Sequence, residues 1–362
     1  MQDSLRLSRK MLAAMQGFLP DERITRLRNL ALLASGLFLA ESAHLSKIVR
    51  TWPLAGRLVS LTNRLRRFLK NKSARPGRLY RPLARKLLSS FEEPWQTVRL
   101  ILDTTKVGAA HRVLTVSLAY RKRALPLAWS VHRGRKGHTR ADEQIALLRR
   151  VKPLLPPGNN VSVVGDSEFS SVKLLRWLSS KEVGFDYVLR TGGHCKAYCR
   201  GKWRKLSQVP LEEGQTRFVG AVRFTEEHRY EKAHLLMHWA AGEEEPWYLL
   251  ASRPVGKATL ERYEKRMWTE EMYADLKGHG VDLEATGLVH SERISRLMLG
   301  ACWMYVWLLV LGSYVVKRGW RHLVDRKSRR DKSYFRIGWD FTRRCIYLAD
   351  SIRLRFTPYL RK

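Results

Sequence analysis

Three carboxylates in the sequence stand where they could act together. Asp103 comes at the end of the apolar run TVRLILDT (residues 97–104), and Asp166 ends a second apolar run, VSVVGD (residues 161–166). Such runs predict buried strands, and the ligands of α/β proteins gather at the carboxyl ends of strands. If the two strands are neighbours, their carboxylates lie close together, and Glu270 on a later helix could complete the cluster. Each acid taken alone has an ordinary interpretation as a turn residue or a helix cap.

The chemistry of this acid set points to metal ions. Three acids that face one point repel one another unless a cation holds them, and carboxylate oxygens suit Mg²⁺ or Mn²⁺. Two such ions about 4 Å apart can activate water or a 3′-OH and stabilise the leaving oxygen of a phosphodiester. The set Asp103, Asp166 and Glu270 therefore predicts a site for phosphoryl transfer. Glu168, which falls in the turn after Asp166, is not assigned to it.

Glu270 belongs to a stretch, YEKRMWTEEMYADLK (residues 263–277), that predicts one amphipathic helix. At the helical period, Tyr263, Arg266, Glu270 and Lys277 fall within roughly 60° of one another on one face. The opposite face carries an apolar stripe, which predicts burial. It consists of Trp268, Met272 and Leu276. The ordinary alternative is an exposed polar face with an Arg266–Glu270 ion pair, which contributes only a few tenths of a kcal/mol.

The elements that must position these residues alternate between strands and helices. Strands are predicted at residues 97–104, 113–120, 125–131, 161–166 and 185–190, with helices at 142–151 and 171–180. The first three strands predict an antiparallel meander, and the order βββαβαβ predicts an α/β fold with a mixed sheet and helices on its faces. Short alternating stretches between residues 191 and 260 predict a β-rich insertion. A helix is predicted at residues 335–354 of the basic tail.

The charge of the chain indicates its partner. The 362 residues include 68 Lys and Arg against 33 Asp and Glu, a formal charge of +35. Hydrophobic residues make up 44% of the chain, so it folds around a core, and a folded protein of this charge predicts a nucleic-acid partner. The ordinary alternatives are a ribosomal-type scaffold and a protein that binds an anionic membrane surface. Residues 1–95 are basic and helical in pattern, with a strong helix at residues 24–39. They predict a DNA-binding module, although a solvated basic face on a structural cap gives the same pattern.

One run raises the question of a membrane. MLGACWMYVWLLVLGSYVV (residues 298–316) is uncharged and long enough to span a bilayer. No other such run is present, and Lys and Arg flank it on both sides, so a central helix buried by protein is the favoured interpretation. The chain has four cysteines, which are too few for a disulfide framework, and a reducing cytoplasmic location is expected.

The spacing of the residues in the 263–277 stretch resembles a known family. Tyr263-x2-Arg266-x3-Glu270-x6-Lys277 is similar to the Y-x2-R-x3-E-x6-K signature of IS4-family bacterial insertion-sequence transposases. Asp103 in ILDTT and Asp166 in VVGDSEF look like the first two acids of that family. The segment WYLLASRP, which begins at Trp247, resembles the W-x-L-x-T/S-x-x-P stretch before the signature, with a looser spacing. The resemblance covers residues 97–316 and is loose outside them.

The resemblance implies an RNase H-like (retroviral-integrase-like) catalytic core with a β-strand insertion. Together with the basic helical pattern at both ends of the chain, it gives these units: residues 1–95, an N-terminal helical DNA-binding domain; 96–190 and 261–318, the two parts of the core; 191–260, the insertion; and 319–362, a basic helical tail. It further implies a cut-and-paste DDE transposase that works as a homodimer on double-stranded DNA, in the bacterial cytoplasm at the nucleoid. Asp103, Asp166 and Glu270 would be the catalytic acids and the ligands of two Mg²⁺, with Mn²⁺ as a substitute.

The resemblance also implies roles for the residues around the acids. Tyr263 and Arg266 would contact DNA at the transposon end, and Lys277 would engage the end near the cleaved phosphate. Trp247 would stack on a base flipped out during hairpin formation, because an indole stacked on an extrahelical base offsets part of the unstacking cost. A buried aromatic in a β-strand is the equally simple alternative for Trp247.

Three other functions remain open at this point. An RNase H-like nuclease or resolvase would use the same acids without strand transfer. A catalytically inert DNA-binding protein would bind DNA in a salt-sensitive way without cutting it. A membrane protein would use residues 298–316 as its span.

Overall fold

A computed structural model describes residues 2–91, 97–108, 110–134, 137, 139–199 and 201–359. The boundary predicted between residues 95 and 96 lies outside this part of the chain. The helices of the described residues are α1 (Gln2–Phe18), α2 (Ile24–Ala40), α3 (Leu45–Arg50), α4 (Leu58–Lys70), α5 (Pro76–Leu88), α6 (Ala141–Val151), α7 (Val172–Leu178), α8 (Lys257–Glu264), α9 (Met267–Leu276), α10 (Ser291–Lys317) and α11 (Tyr334–Tyr347).

The strands form one large mixed sheet. They are β1 (Val98–Val107), β2 (His111–Tyr120), β3 (Arg123–Arg133), β4 (Val161–Gly165), β5 (Asp186–Thr191), β6 (Lys196–Cys199), β7 (Lys202–Lys205), β8 (Thr216–Phe224), β9 (Tyr230–His238) and β10 (Trp247–Ala251). Their order across the sheet is β3-β2-β1-β4-β5-β10-β9-β8-β6-β7. The predicted α/β class with a mixed sheet is therefore confirmed.

The half of the sheet from β3 to β5 follows the predicted pattern. β1, β2 and β3 form the expected antiparallel meander, while β4 runs parallel to β1 and β5 runs parallel to β4. The strands predicted in the 191–260 insertion also form. They extend the same sheet, because β10 pairs antiparallel with β5 and β9 and β8 continue from β10. The insertion and the core thus share one hydrogen-bonded sheet.

The long apolar helix α10 is the centre of the helical layer. One helix among the described residues, α10, is long and apolar enough to cross a membrane, and 94% of its most apolar window is buried inside the protein. Glycines allow its close approach to α11: a Cβ at Gly312 would lie 1.7 Å from the carbonyl oxygen of Tyr334, and one at Gly338 would lie 1.9 Å from that of Leu308. The two helices therefore cross with their backbones in contact.

The N-terminal helices pack on α10 as part of one hydrophobic core. A Cβ at Gly300 of α10 would lie 2.5 Å from Leu33 of α2, so these helices also meet closely. The buried guanidinium of Arg296 donates hydrogen bonds to the carbonyl oxygens of Leu69 (3.0 Å) and Ala74 (3.2 Å), which end α4 and precede α5. The N-terminal helices are thus fixed to α10, which comes after the predicted helix of Glu270 in the chain.

The predicted helix at residues 335–354 is too long. α11 ends at Tyr347, and the backbone at Ala349 turns into the left-handed region with φ of 54°. The amide of Asp350 then donates to the carbonyl oxygen of Cys345 at 2.8 Å, a bond that closes the helix rather than continuing it. Arg6 of α1 donates to the carbonyl oxygen of Ala349 at 3.2 Å, so the tail is held by a contact distant in sequence.

Candidate active site

Asp103 and Asp166 occupy neighbouring backbone positions on two adjacent strands, β1 and β4, in the interior of the sheet order. β1 and β4 are parallel neighbours, and the last paired residues in register are Leu102 and Gly165, each directly before an aspartate. Gly165 permits this approach, since a Cβ there would lie 2.8 Å from the ring of Phe169 and 3.2 Å from the carbonyl oxygen of Leu102. The expectation that the two strands are neighbours is met, but the prediction that Asp103 ends its strand is wrong. β1 continues to Val107 because it stays paired with β2 there, so Asp103 lies inside the strand, whereas Asp166 directly follows β4.

The two aspartates differ in exposure and in local bonds. Asp103 is 1% exposed, and its Oδ1 accepts a hydrogen bond from the amide of Thr104 at 2.8 Å. Asp166 is half-buried and begins a 3-10 turn, Ser167–Phe169, in which its Oδ1 accepts from the amide of Glu168 at 3.0 Å. Both carboxylates are therefore held by backbone amides, which fixes their positions.

The stretch that carries Glu270 is two helices and not one, so the single-helix prediction is wrong. α8 ends at Glu264 and α9 begins at Met267. Between them the amide of Arg266 donates to the carbonyl oxygen of Tyr263 at 2.8 Å, a three-residue turn tighter than the α-helical one. Tyr263, in the last turn of α8, is buried at 2% exposure, whereas Glu270 of α9 is exposed.

The apolar side of α9 behaves as its pattern predicts. Met272 and Leu276 are fully buried, and Trp268 is partly buried against the core. Sequence reasoning missed Tyr273, whose hydroxyl lies 2.5 Å from Oγ1 of Thr115 and 3.4 Å from the carbonyl oxygen of Asp103. Burial and then the nearby Asp103 raise the pKa of Tyr273 well above its ordinary value. Tyr273 thus docks α9 on β1 and β2 directly behind the first acid.

Arg266 interacts with both Glu270 and Asp103. Its Nη1 lies 2.8 Å from Oε1 of Glu270, and its guanidinium lies 5.9 Å from the ring centre of Tyr263. Burial by itself lowers the pKa of Arg266, but Tyr263, Glu270 and Asp103 outweigh burial and raise it. The predicted Arg266–Glu270 pair is therefore present, and it is part of a larger cluster that includes a buried aspartate. The Nε of Arg266 is buried and has no hydrogen-bond partner among the described residues.

Trp247 and Lys277 flank the cluster without joining the acids. Trp247 opens β10, is half-buried and packs edge-on against Tyr263, with their ring centres 5.1 Å apart. Lys277 follows the last residue of α9, and its Nζ lies 2.8 Å from Oε1 of Glu284. The structure thus groups Trp247 with Tyr263 and Arg266, whereas Lys277 pairs with an acid outside the predicted set.

Glu168 is more closely integrated than its position in a turn suggests. Its Oε1 accepts hydrogen bonds from the amide and the hydroxyl of Thr139, both at 2.5 Å, and Nε2 of Gln144 donates to its carbonyl oxygen at 3.2 Å. These bonds tie the turn after β4 to the start of α6. The Oε2 atom of Glu168 is buried with no hydrogen-bond partner in the described part of the chain. The feature of the sequence that could have drawn attention to Glu168 is its position two residues after Asp166.

The donor types at this site suit a hard divalent cation, since Asp103, Asp166 and Glu270 offer carboxylate oxygens. Asp103 and Asp166 are adjacent, whereas the Glu270 carboxylate is bonded to Arg266. Among the described residues, no group of three or more His, Cys, Asp or Glu side chains is close enough to hold a metal ion. The acids therefore fit a metal by chemistry, and Glu270 would have to exchange Arg266 for it.

Comparisons with known proteins give weak similarities. No family model matches the chain, and no curated protein matches it. Among solved structures, a piggyBac transposase synaptic complex with hairpin DNA is similar over 95% of this chain and 77% of that chain, with 12% identity and a TM-score of 0.40. An Argonaute of Marinitoga piezophila, in complex with guide RNA and target DNA, is similar over 54% of this chain and 30% of that chain, with 8% identity and a TM-score of 0.22. Scores this low assign neither a fold nor a function.

Proposed function

We propose that this chain is a DDE transposase of the IS4 type. In this proposal it binds the terminal inverted repeats of an insertion sequence as a homodimer, cleaves the ends and joins the 3′ ends to target DNA. The observation that carries the proposal is the register of β1 and β4, which sets Asp103 beside Asp166 where Arg266 and Glu270 of the signature also lie. Residues far apart in sequence, Asp103 and the Arg266–Glu270 pair, thus lie within electrostatic reach of one another.

The sheet supports an RNase H-like core for this function. Its first half has the order β3-β2-β1-β4-β5, in which an antiparallel meander is followed by two parallel strands. Ligands of such sheets bind at the carboxyl ends of the parallel strands, and Asp166 is the residue after β4. The long basic chain, with a formal charge of +35, suits a DNA substrate.

Asp103, Asp166 and Glu270 are the residues that would hold the divalent ions, Mg²⁺ or in its place Mn²⁺. Two such ions, when bound, supply activation of a water or 3′-OH nucleophile and stabilisation of the leaving oxygen. The chain's own part is to position the acids: backbone amides hold Asp103 and Asp166, and Tyr273 docks the helix of Glu270 against β1 and β2.

Arg266 is the residue through which DNA would reach Glu270. A guanidinium binds phosphate oxygens through paired hydrogen bonds, and Nη1 of Arg266, which now bonds Glu270, is such a donor. We propose that a DNA phosphate replaces Glu270 as the partner of Arg266 and leaves the Glu270 carboxylate available to metal. Tyr263, which is buried, would support Arg266 from behind, and Lys277 would leave Glu284 for a phosphate near the cut.

Trp247 would serve the hairpin step of the same reaction. It packs against Tyr263 at the edge of the cluster and keeps part of its indole exposed, so a base flipped out of the duplex could stack on it. Stacking of this kind contributes about 1–3 kcal/mol per base.

The test is cleavage of the DNA that flanks the gene. A labelled duplex that carries the inverted repeat found there is incubated with the protein and Mg²⁺, and then with a supercoiled plasmid as target. The proposal expects cleaved ends and their joining to the plasmid, and loss of both in Asp103→Ala and Glu270→Gln. Cleavage without joining would indicate a nuclease or resolvase. Binding without cleavage in Mg²⁺ or Mn²⁺ would indicate an inert DNA-binding protein.

A further inference from the structure

A cleft lined by arginines lies between α2 and α4, far in sequence from the acid cluster. We call it the arginine cleft. It has a volume of about 280 Å³ and opens to solvent. Its lining consists of Arg23, Thr25, Arg26, Asn29, Arg64, Arg67, Phe68 and Asn71. Four guanidinium groups in one cleft repel one another, so this arrangement is costly unless an anion enters it.

The charges of the arginine cleft are only partly compensated within the protein. Arg26 shares the carboxylate of Glu22 with Arg78 of α5, and its Nε is buried with no hydrogen-bond partner among the described residues. Burial lowers the pKa of Arg64, and the like charges of Arg28 and Arg67 lower it further. A lowered pKa of an arginine means that its surroundings disfavour the cation, which is the condition that a bound anion relieves.

The cleft is also held in shape. Arg64 donates from Nε to Oδ1 of Asn29 at 2.9 Å, and its guanidinium lies 6.0 Å from the ring centre of Trp52. Arg296 of the central helix α10 donates to the carbonyl oxygen of Leu69, which fixes the end of α4. A fixed guanidinium loses little freedom when it binds an anion, so the cleft is preorganised for one.

We propose that the arginine cleft binds a backbone phosphate of double-stranded DNA. The positive charge extends beyond a single phosphate, because Arg28 and Arg78 lie within electrostatic reach of the cleft arginines and Arg23, Arg28 and Arg67 are exposed. Such an extended patch suits a polyanion better than a free phosphate ion. The inference rests on the proposed function for its choice of DNA, and it assigns that contact to residues of α2 and α4.

The test measures DNA affinity separately from cleavage. A short fluorescein-labelled duplex is titrated with the full-length protein in EDTA, and fluorescence anisotropy gives Kd at several KCl concentrations. The main variant is Arg23→Gln with Arg67→Gln, because both side chains are exposed and their loss leaves the core unchanged. The control variant is Lys202→Gln with Lys205→Gln, which removes the same charge from exposed positions of β7 at the far edge of the sheet.

The cleft variant is expected to bind about tenfold more weakly, with a slope of log Kd against log salt that is shallower by about 1 to 2, while the control stays within about twofold of the parent. Arg64→Lys, which keeps the charge and loses the bond to Asn29, is expected to weaken binding by about threefold. Inorganic phosphate added as competitor is expected to displace the duplex only at concentrations where KCl of equal ionic strength does so too.

Three results would overturn the inference. If the cleft and control variants lost DNA affinity equally, the cleft would contribute only its share of the overall positive charge. If phosphate displaced DNA at a concentration well below that at which KCl does, the cleft would be a site for free phosphate. A parent that binds and cuts DNA with a cleft variant of unchanged affinity would refute the cleft alone and leave the proposed function standing. A parent that binds no duplex would refute both.

Discussion

Arginine serves opposite purposes in two regions of this molecule. In the acid cluster, Arg266 is nearly buried, is paired with Glu270 at 2.8 Å and has its pKa raised by the acids and the tyrosine around it. In the arginine cleft, Arg64 is partly buried, is bonded to a neutral amide and has its pKa lowered by burial and by other arginines. Arg266 is paired with an acid of its own, whereas the four cleft arginines have between them only the carboxylate of Glu22, which Arg26 shares with Arg78.

The difference indicates which charges maintain the fold and which await a ligand. An arginine that compensates buried acids stabilises the free protein, and its removal leaves those acids uncompensated. Arginines that crowd one another add nothing to the free protein and gain their partners when a polyanion binds. Stability measured without DNA should therefore separate the two regions.

The largest expected change in the free energy of unfolding involves a third arginine, Arg123, and its buried partner Asp275. Nε of Arg123 lies 2.8 Å from Oδ2 of Asp275, yet burial outweighs this partner and raises the pKa of Asp275 to about 6. A carboxyl whose pKa is higher in the folded state binds more protons there between about pH 4 and pH 6, so its contribution to stability falls as the pH rises through that window.

The measurement compares parent and Asp275→Asn by urea unfolding from pH 4 to pH 7. The free energy of unfolding of the parent relative to the variant is expected to decrease by about 2 kcal/mol over this range. A difference that does not change with pH would show that folding does not raise the pKa of Asp275.

A smaller loss in the free energy of unfolding is expected on substitution of Arg266. Substitution by Met keeps much of the side-chain volume and removes the charge beside Glu270 and the buried Asp103. Urea unfolding at neutral pH without DNA is expected to show a loss of about 1–2 kcal/mol. If Arg266→Met were as stable as the parent, the arginine would not compensate the acids in the free protein.

The smallest change in the free energy of unfolding is expected at Arg67 of the arginine cleft. Substitution of Arg67 by Met is the matched comparison for Arg266→Met. Arg67 is exposed and faces other arginines, so Arg67→Met should change the free energy of unfolding by less than about 0.5 kcal/mol. A loss equal to that of Arg266→Met would remove the distinction between the two regions.

The sequence allowed the strands and the two aspartates to be predicted, because each is a local pattern. The apolar runs that end at Asp103 and Asp166 need no distant information. The second forms β4, and the first lies in β1, although β1 continues three residues past the predicted end, to Val107. The sequence does not specify the pairing of β1 with β4, because β2, β3 and α6 lie between them in the chain and no local pattern selects the strand that β4 joins. The adjacency of Asp103 and Asp166 depends on that pairing.

The features that could not be predicted depend on contacts distant in sequence or on a small backbone change. The tight turn between α8 and α9 uses residues that are compatible with a continuous helix, so periodicity alone placed Tyr263 on the exposed face. The bond between Tyr273 and Thr115 joins residues of β2 and α9, and no local pattern specifies it. The arginine cleft likewise needs α2 and α4 to be packed before its four arginines meet.

The most direct test of the acid cluster is the nicking of supercoiled plasmid in Mn²⁺ by two aspartate variants. Asp166 follows the carboxyl end of β4, whereas Asp186 begins β5 at the opposite edge of the sheet and bonds Ser252 and Arg253, bonds that an amide oxygen can also accept. Asp166→Asn is expected to lose at least about a thousandfold in nicking rate, while Asp186→Asn stays within about threefold of the parent. Nicking by Asp166→Asn at the rate of the parent would contradict the assignment of the site.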